Sequence, residues 1–405
     1  FLLSVAICLV PFGRIADIYG RKRVFTYGIV IYTIASLLCA LTRSAEMLIG
    51  LRIVQGVGSA MYAATGIAML TSVFSREERG KMLGVNVAAV YLGLSLGPFI
   101  GGIITHHFGW RYLFLVTTPF SLLIIAVVFW KLRGAEWSES KGERFDIVGA
   151  VFYGLILVAL MYGFSILPDI KGGLLVLAGI MGFILFISLE SRSAAPMIDV
   201  SLFRGNNVFV FSNLAALINY SATAGTAFLL SFYLQYIKGV DPQHTGMILV
   251  AQPVVMTLVS PFAGRLSDRI EPRLVASAGM ALTALGLFML VFLGQATGLE
   301  YIIIALVILG IGFGLFSSPN TNAVMSSVDK KAYGIASATL GTMRLLGQMF
   351  SMGIMMFLFA LYMGRVKITP EYYPEFMVSM KAAFIIFTAL SCAGVAASMA
   401  RGKGR

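Results

Sequence analysis

QGVGSAMYAATGIAMLTSVFSREERGKMLG, residues 55–84, is echoed 254 positions later by LGIGFGLFSSPNTNAVMSSVDKKAYGIASA, residues 309–338. Gly56 falls on Gly310, Gly58 on Gly312, Ser72 on Ser326 and Gly80 on Gly334. Farther along Gly93 falls on Gly347, all without a gap. GRIAD at 13–17 pairs with GRLSD at 264–268, which sets Asp17 and Asp268 251 residues apart. Isolated glycines match by chance, but a run of matches at nearly one offset indicates tandem halves. Such halves are an architecture of membrane transporters, whose substrate site lies at the interface between them. The offset is longer than six spanning helices need. Two additional helices between the halves would fill the difference, and 146–190 is the natural place for them.

Composition agrees with a membrane solvent. Of the 405 residues 59% are hydrophobic and 12% are charged, about half the charged share of a soluble domain. So few charges cannot coat a water-facing surface, but they suit a lipid-facing one. The net charge of +12 would suggest nucleic acid in a soluble protein. Here the basic residues cluster in short gaps between apolar runs, so membrane topology explains them. Cys8, Cys39 and Cys392 all lie in apolar stretches. They have no metal-ligand spacing and read as small apolar fillers.

Apolar runs long enough to span are expected near 24–42, 46–74, 82–105, 112–132, 146–166, 173–190, 207–236, 244–264, 273–295, 299–318, 332–363 and 377–399, after a partial, cut span at 1–12. Of the 30 basic residues, 21 then fall on one side and 7 on the other, with Arg52 and Arg344 inside spans. A wrong span count would scramble that alternation. The rich side is expected to be the cytoplasm, with the C-terminus on it. One helix before Phe1 would bring the total to fourteen. The expected organisation is a first helical half at 1–132 lacking its first helix, linker helices with flanking loops at 133–204, and a second helical half at 205–405.

Four segments carry a family resemblance. GRIADIYGRKR at 13–23 is expected in the loop after the first span. Gly13 permits close helix contact, and Asp17 can face a helix N-terminus, where the dipole favours an anion. A solvated turn with topogenic charges is the plainer alternative. LIGLRIVQGVGSA at 48–60 puts Arg52 inside an apolar helix, which is costly. Arg52 lies about six residues into its span, roughly 9 Å of rise, so a guanidinium snorkelling to the interface is also open. GLSLGPFIGG at 93–102 combines a helix-bending proline with glycines that admit a close neighbour. LESRSAAPMIDVSLFRG at 189–205 and YGIASATLGTMRLLGQ at 333–348 complete the set, the latter holding Arg344, for which a structural bond to a carbonyl or helix end is equally open.

Together these segments resemble the major facilitator superfamily, and within it the fourteen-helix drug:proton antiporters. The resemblance covers nearly the whole chain. It implies an all-α integral membrane protein with two pseudo-symmetric six-helix halves and two extra helices between them. It makes Gly13, Asp17, Gly20, Arg21 and Lys22 a cytoplasmic gate; Ile18 departs from the pattern, where a basic residue is usual. It makes Arg52, with Gln55 and Arg344, candidates for proton coupling. It makes Gly93, Gly97, Pro98, Gly101 and Gly102 the segment that marks exporters rather than importers. All 18 acidic residues map to loops or span ends, although a proton-coupled exporter usually needs an intramembrane carboxylate. The family commonly places one in the first helix, expected here to precede Phe1.

Polar and aromatic residues near the half interface form a candidate substrate surface: Asn213, Asn219, Tyr220, Phe232, Tyr233, Gln252, Asn320, Asn322 and Gln348. No hydrolytic or transfer site is evident. The GxxxxGK[ST] phosphate loop is absent, so ATP-driven transport is not supported. No catalytic residue, metal site, cofactor or nucleic-acid partner is expected. The expected partners are a hydrophobic small molecule, protons and the bilayer, with a monomer sufficient in the plasma (inner) membrane. The leading expectation is multidrug efflux, of the antibiotic-resistance kind, by proton antiport and alternating access. A proton-linked importer of a small metabolite and a transporter-like membrane sensor are the alternatives.

Overall fold

A computed structural model describes residues 1–132, 136–138, 142–143, 145–167, 169–191, 203, 205–364 and 368–402, apart from the side chains at 76–77, 94–95, 98–99, 102–103, 106 and 165. The first half contains α1 (Leu2–Tyr19), α2 (Arg21–Ala40), α3 (Ala45–Val73), α4 (Arg76–Phe108), α5 (Tyr112–Leu115) and α6 (Thr117–Lys131). The inserted pair is α7 (Ile147–Ser165) and α8 (Ile170–Glu190). The second half contains α9 (Asn207–Thr223), α10 (Thr226–Phe232), α11 (Pro242–Leu249), α12 (Ala251–Arg269), α13 (Pro272–Leu290), α14 (Leu299–Ser326), α15 (Tyr333–Tyr362) and α16 (Tyr373–Ala400). Among the described residues 12 helical runs are long and apolar enough to cross a membrane. The 33-residue α4 occupies the remaining expected span.

Local chemistry sets the helix ends. Ser44, Asp146, Asp169, Asn206 and Asp241 each accept a backbone N–H of the helix they precede, satisfying donors that have no partner within the helix. Two expectations near the start are corrected. The 13–23 segment is not a loop: Gly13 to Tyr19 continue α1, and Gly20 alone turns the chain, at φ 115°. Only glycine adopts that conformation freely. The partial span expected at 1–12 runs farther than expected, to Tyr19.

Lipid tails offer no hydrophobic drive between helices, so close packing joins them. A Cβ on Gly28 would lie 2.9 Å from the Gly58 carbonyl oxygen, and one on Gly58 would lie 2.8 Å from that of Gly28, locking α2 to α3. Gly279 and Gly312 repeat this between α13 and α14, at 2.6 and 2.7 Å. Gly279 lies 251 positions after Gly28, and Gly312 lies 254 after Gly58. The repeat read in the sequence is therefore a repeat of helix contacts.

The inserted helix α7 lies against both halves. Gly154 admits Ile7 of α1. Tyr153 donates to the Thr342 hydroxyl of α15 at 3.4 Å, and Phe164 packs edge-on to Phe350 with ring centres 4.8 Å apart. One apolar cluster accordingly unites α1, α3, α7, α8 and α15. A separate core fills the second half around Leu229, Tyr233, Leu287, Phe376, Phe384 and Phe387.

Candidate functional site

The two halves are fastened at the end where the basic residues gather. Asp17, fully buried near the end of α1, accepts the Gly334 N–H at 2.9 Å and the Ile335 N–H at 3.0 Å, at the start of α15. Both N–H groups belong to a helix's first turn, where a carboxylate is favoured by roughly 0.3–1 kcal/mol and up to about 2 when partly buried. Gly13 makes the approach possible, since a Cβ there would lie 2.6 Å from that of Ala338. Arg21, also fully buried, donates to Asp17 at 2.9 and 2.7 Å, to the Ser72 hydroxyl at 2.7 Å and to the Lys330 carbonyl. Lys22 donates to the Leu132 carbonyl at 2.5 Å, and Gly20 stands beside Glu136, so these two tie the turn to the chain after α6.

The second half returns the same contact. Asp268, near the end of α12, accepts the Gly80 N–H at 2.8 Å and the Lys81 N–H at 2.9 Å, at the start of α4. Gly264 lies against the Gly80 carbonyl as Gly13 lies against Gly334. The symmetry is incomplete, because the residue 251 positions after Arg21 is Pro272. Asp17 thus holds a paired arginine and Asp268 does not.

Within the spans, Arg52 donates to Gln55 at 2.8 Å, and Gln55 donates to Ser36 at 2.9 Å. Its guanidinium also lies 4.5 Å from the Phe1 ring centre and 5.7 Å from that of Phe114. The structure thus brings Arg52 and Gln55 into one network linking α2 and α3, with no carboxylate on the guanidinium among the described residues. Arg344 is elsewhere, on α15. It donates to Thr321 at 2.6 Å and lies 5.9 Å from the Tyr220 ring centre. Its Nε has no partner among the described residues.

Around Arg344 is an aromatic cluster built from both halves. Phe313 packs edge-on to Tyr91 of α4 at 5.7 Å and to Tyr220 of α9 at 5.1 Å. The Tyr91 hydroxyl is within hydrogen-bonding reach of Tyr220 and Ser317. Val87 and Met256 complete the cluster. Of the expected substrate surface, only Tyr220 belongs to it. Asn213 donates to its own helix at Phe209, Asn320 to the Ser212 carbonyl at 3.1 Å and Asn322 to Ser267 at 3.2 Å. Asn320 and Asn322 thus tie α14 to α9 and to α12. Asn219 is fully buried with neither side-chain atom bonded among the described residues. Gln252 and Gln348 are half-buried, and Phe232 packs between Phe228 and Tyr236. Tyr233 donates to the Gly294 carbonyl at 2.7 Å within the second half's apolar core.

The segment at 93–102 departs from expectation. Among the described residues no atom lies within 4 Å of a Cβ placed on Gly93 or Gly97, and one on Gly101 meets only Leu113, at 3.7 Å. Pro98 and Gly102 lie outside the described side chains. The close neighbour expected there is not made among the described residues, because α4 packs on α12 through its basic end, where a Cβ on Gly84 would lie 2.6 Å from the Ser260 carbonyl oxygen. Gly347, the repeat partner of Gly93, is by contrast covered by α9 at Leu217 and Tyr220.

Sequence reading missed three participants. Tyr91 has no aromatic repeat partner, since Leu345 lies 254 positions on, and it was one tyrosine among 16. Arg79 was counted only as a topogenic charge. The Asp268 contact was signalled by the GRLSD match but not drawn from it.

The sequence matches the Major Facilitator Superfamily over residues 1–203 and 212–401. Riboflavin transporter RibZ of Clostridioides difficile is 31% identical over 364 residues, 88% of this chain and 77% of RibZ. Multidrug resistance protein Stp of Mycobacterium tuberculosis is 27% identical over 361 residues, 88% of this chain and 66% of Stp. Methylenomycin A resistance protein of Streptomyces coelicolor is 26% identical, covering 88% of this chain and 75% of its own. Among solved structures, the human organic anion transporter MFSD10 superposes with TM-score 0.70 at 15% identity, over 98% of this chain and 82% of its own. The proton:xylose symporter XylE superposes at 0.65 and 15%, over 98% and 83%.

Proposed function

This chain belongs to the major facilitator superfamily of membrane transporters, and on that premise we propose that it exports hydrophobic small molecules in exchange for protons by alternating access. The reading rests foremost on the reciprocal contact of Asp17 with α15 and Asp268 with α4. Two halves pinned at one end by four N–H···carboxylate bonds can rock apart there when those bonds break. The rocking bodies are residues 1–132 and 205–405, with 133–204 between them. The fastened end is cytoplasmic, by the excess of lysine and arginine there, and the C-terminus shares that side of the plasma membrane. The uncovered Gly93–Gly97 face of α4 then belongs to the open, outward side.

Export is supported by GLSLGPFIGG and by relatives named for drug resistance. The cluster of Tyr91, Tyr220, Phe313 and Arg344 suits a flat aromatic substrate, with rings to stack and one cation to select. Proton coupling falls to the Arg52–Gln55 network and to Arg344, the two cations inside the spans. The protein works as a monomer.

The test is transport in everted membrane vesicles with the chain overproduced, using a flat aromatic fluorescent dye that carries no positive charge. An imposed pH gradient should drive accumulation of the dye, and nigericin should abolish it. Accumulation indifferent to nigericin would remove proton antiport. One observation favours the importer alternative: the relative at 31% identity is named a riboflavin transporter. Labelled riboflavin entering intact cells, with no dye accumulation in vesicles, would establish that reading instead.

A further inference from the structure

At the fastened end, between α4 and α15, lies a cavity of about 260 Å³ lined by Thr71, Ser72, Ser75, Arg79, Lys330 and Tyr333 among others. Arg79 is 4% exposed. Its one hydrogen bond among the described residues runs from Nη2 to the Thr71 carbonyl at 3.3 Å, and neither Nε nor Nη1 has a partner among them. A buried guanidinium in that condition is strongly unfavourable unless an anion meets it. Among the described residues no carboxylate pairs with it directly, and Asp268 acts on it only through space. Asp17 is engaged by Arg21, both Asp268 oxygens are engaged by Gly80 and Lys81, and Asp329, which lines the cavity, makes no ion pair with Arg79.

Position adds a second argument. Arg79 and Tyr333 are repeat partners, 254 residues apart, and they touch each other, with the Arg79 guanidinium 5.5 Å from the Tyr333 ring centre. Contact between equivalent residues of two halves places the cavity on the seam that relates them. Arg79 comes from the first half and Lys330 from the second. Of the three lining hydroxyls, those of Thr71 and Ser72 donate to the Ile67 and Ala68 carbonyls, which leaves that of Ser75 as a donor beside these cations. Two cations with a hydroxyl donor beside them recognise a tetrahedral oxyanion.

We propose that this cavity binds a phosphate-type oxyanion, bridging Arg79 and Lys330 across the seam, and that the bound anion favours the conformation in which the seam is closed. Opening the seam separates the two cations, so the anion binds one conformation preferentially and shifts the population toward it. Free phosphate and the headgroup of an acidic lipid both offer the chemistry.

The experiment uses the purified chain in phosphatidylcholine nanodiscs. Thermal unfolding is followed against inorganic phosphate, with chloride balancing ionic strength. A parallel series without phosphate replaces part of the phosphatidylcholine with phosphatidylglycerol. The expected result is a saturable rise in Tm, lost in Arg79→Gln and in Lys330→Gln and kept in the remote Lys171→Gln. A rise with phosphate identifies the free ion as the source, and a rise only with phosphatidylglycerol identifies the lipid. Without either anion, Arg79→Gln should be at least as stable as the parent, because it removes an unpaired buried charge. No saturable rise in either series, a rise that survives Arg79→Gln, or an anion-free Arg79→Gln that is less stable than the parent would overturn the proposal.

Discussion

Asp17 and Asp268 cap each other's opposite halves: Asp17 accepts from Gly334 at 2.9 Å and Asp268 from Gly80 at 2.8 Å, and the two glycines are themselves 254 residues apart. Asp17 of the first half thus caps α15 of the second, and Asp268 of the second half caps α4 of the first. The two contacts are not equal, since Arg21 shares Asp17 and nothing shares Asp268 from the corresponding place.

That inequality gives the first prediction. Asp268→Asn weakens two charge-assisted bonds, a loss of about 1–2 kcal/mol for the closed seam, which is roughly a tenfold shift in its population. Asp17→Asn also strands the buried Arg21 and should be the more damaging, by about 3 kcal/mol or more. Thermal unfolding of each purified variant ranks them. Equal losses would mean that Arg21 is not held by Asp17 in the membrane.

The glycines of α4 and α15 should respond oppositely to one substitution. Gly347→Val places a side chain where even a Cβ would lie 2.6 Å from the Leu217 carbonyl oxygen, an overpacking of about 1–3 kcal/mol or more. Gly93→Val meets nothing within 4 Å in this conformation. It should leave Tm within about 0.5 kcal/mol equivalent of the parent and slow transport if α4 must approach a neighbour later in the cycle. Membrane abundance and transport rate, measured together, separate the two outcomes.

Arg52→Ala should abolish gradient-driven transport while the protein remains in the membrane at parental abundance. Arg52→Lys should restore little, because a lysine cannot both donate to Gln55 and stack on Phe1 and Phe114 as the planar guanidinium does. Unchanged transport driven by an imposed pH gradient in vesicles would exclude Arg52 from coupling.

Arg344→Gln tests the aromatic cluster. It removes the cation that lies over Tyr220 while leaving a donor for Thr321. An anionic or electron-rich substrate should then show an apparent KM raised about tenfold, the worth of roughly 1.4 kcal/mol, with a smaller effect on the maximal rate. Tyr91→Phe, which keeps the ring and deletes the hydroxyl, should cost less. Concentration series for substrate transport read both parameters.

The fold was legible because membrane helices announce themselves by length and apolarity, and because the repeat survives in glycines. Gly58 and Gly312 must stay small for backbones to touch, so they kept the register visible. The contact of Asp17 with a helix start was legible because a carboxylate suits a helix N-terminus, and Gly334 of that start lies 254 residues after Gly80. The substrate surface was not. Asn320 and Tyr233 are polar residues in apolar helices, and sequence cannot tell a residue that binds its neighbour from one that faces a cavity. Tyr91 reaches the cluster only because α4 crosses to the second half, a fact of tertiary packing with no local sign. The 13–23 segment was taken for a loop because its charges suggested water, whereas Asp17 and Arg21 neutralise each other inside a helix pair.

Alternating access is tested most directly by measuring both ends of the molecule at once. Spin labels at Glu78 and Lys331 report the basic end, and labels at Gly97 and Gly246 the opposite end; all four positions are exposed. The labels are placed in a background without Cys8, Cys39 and Cys392. Distances are recorded in nanodiscs across a pH series, with and without a transported dye. The expected result is reciprocal: the 78–331 distance lengthens in a subpopulation as the 97–246 distance shortens, and Asp268→Asn enlarges that subpopulation. Distances that stay fixed under every condition, or that lengthen together, would contradict a transporter that opens one end by closing the other.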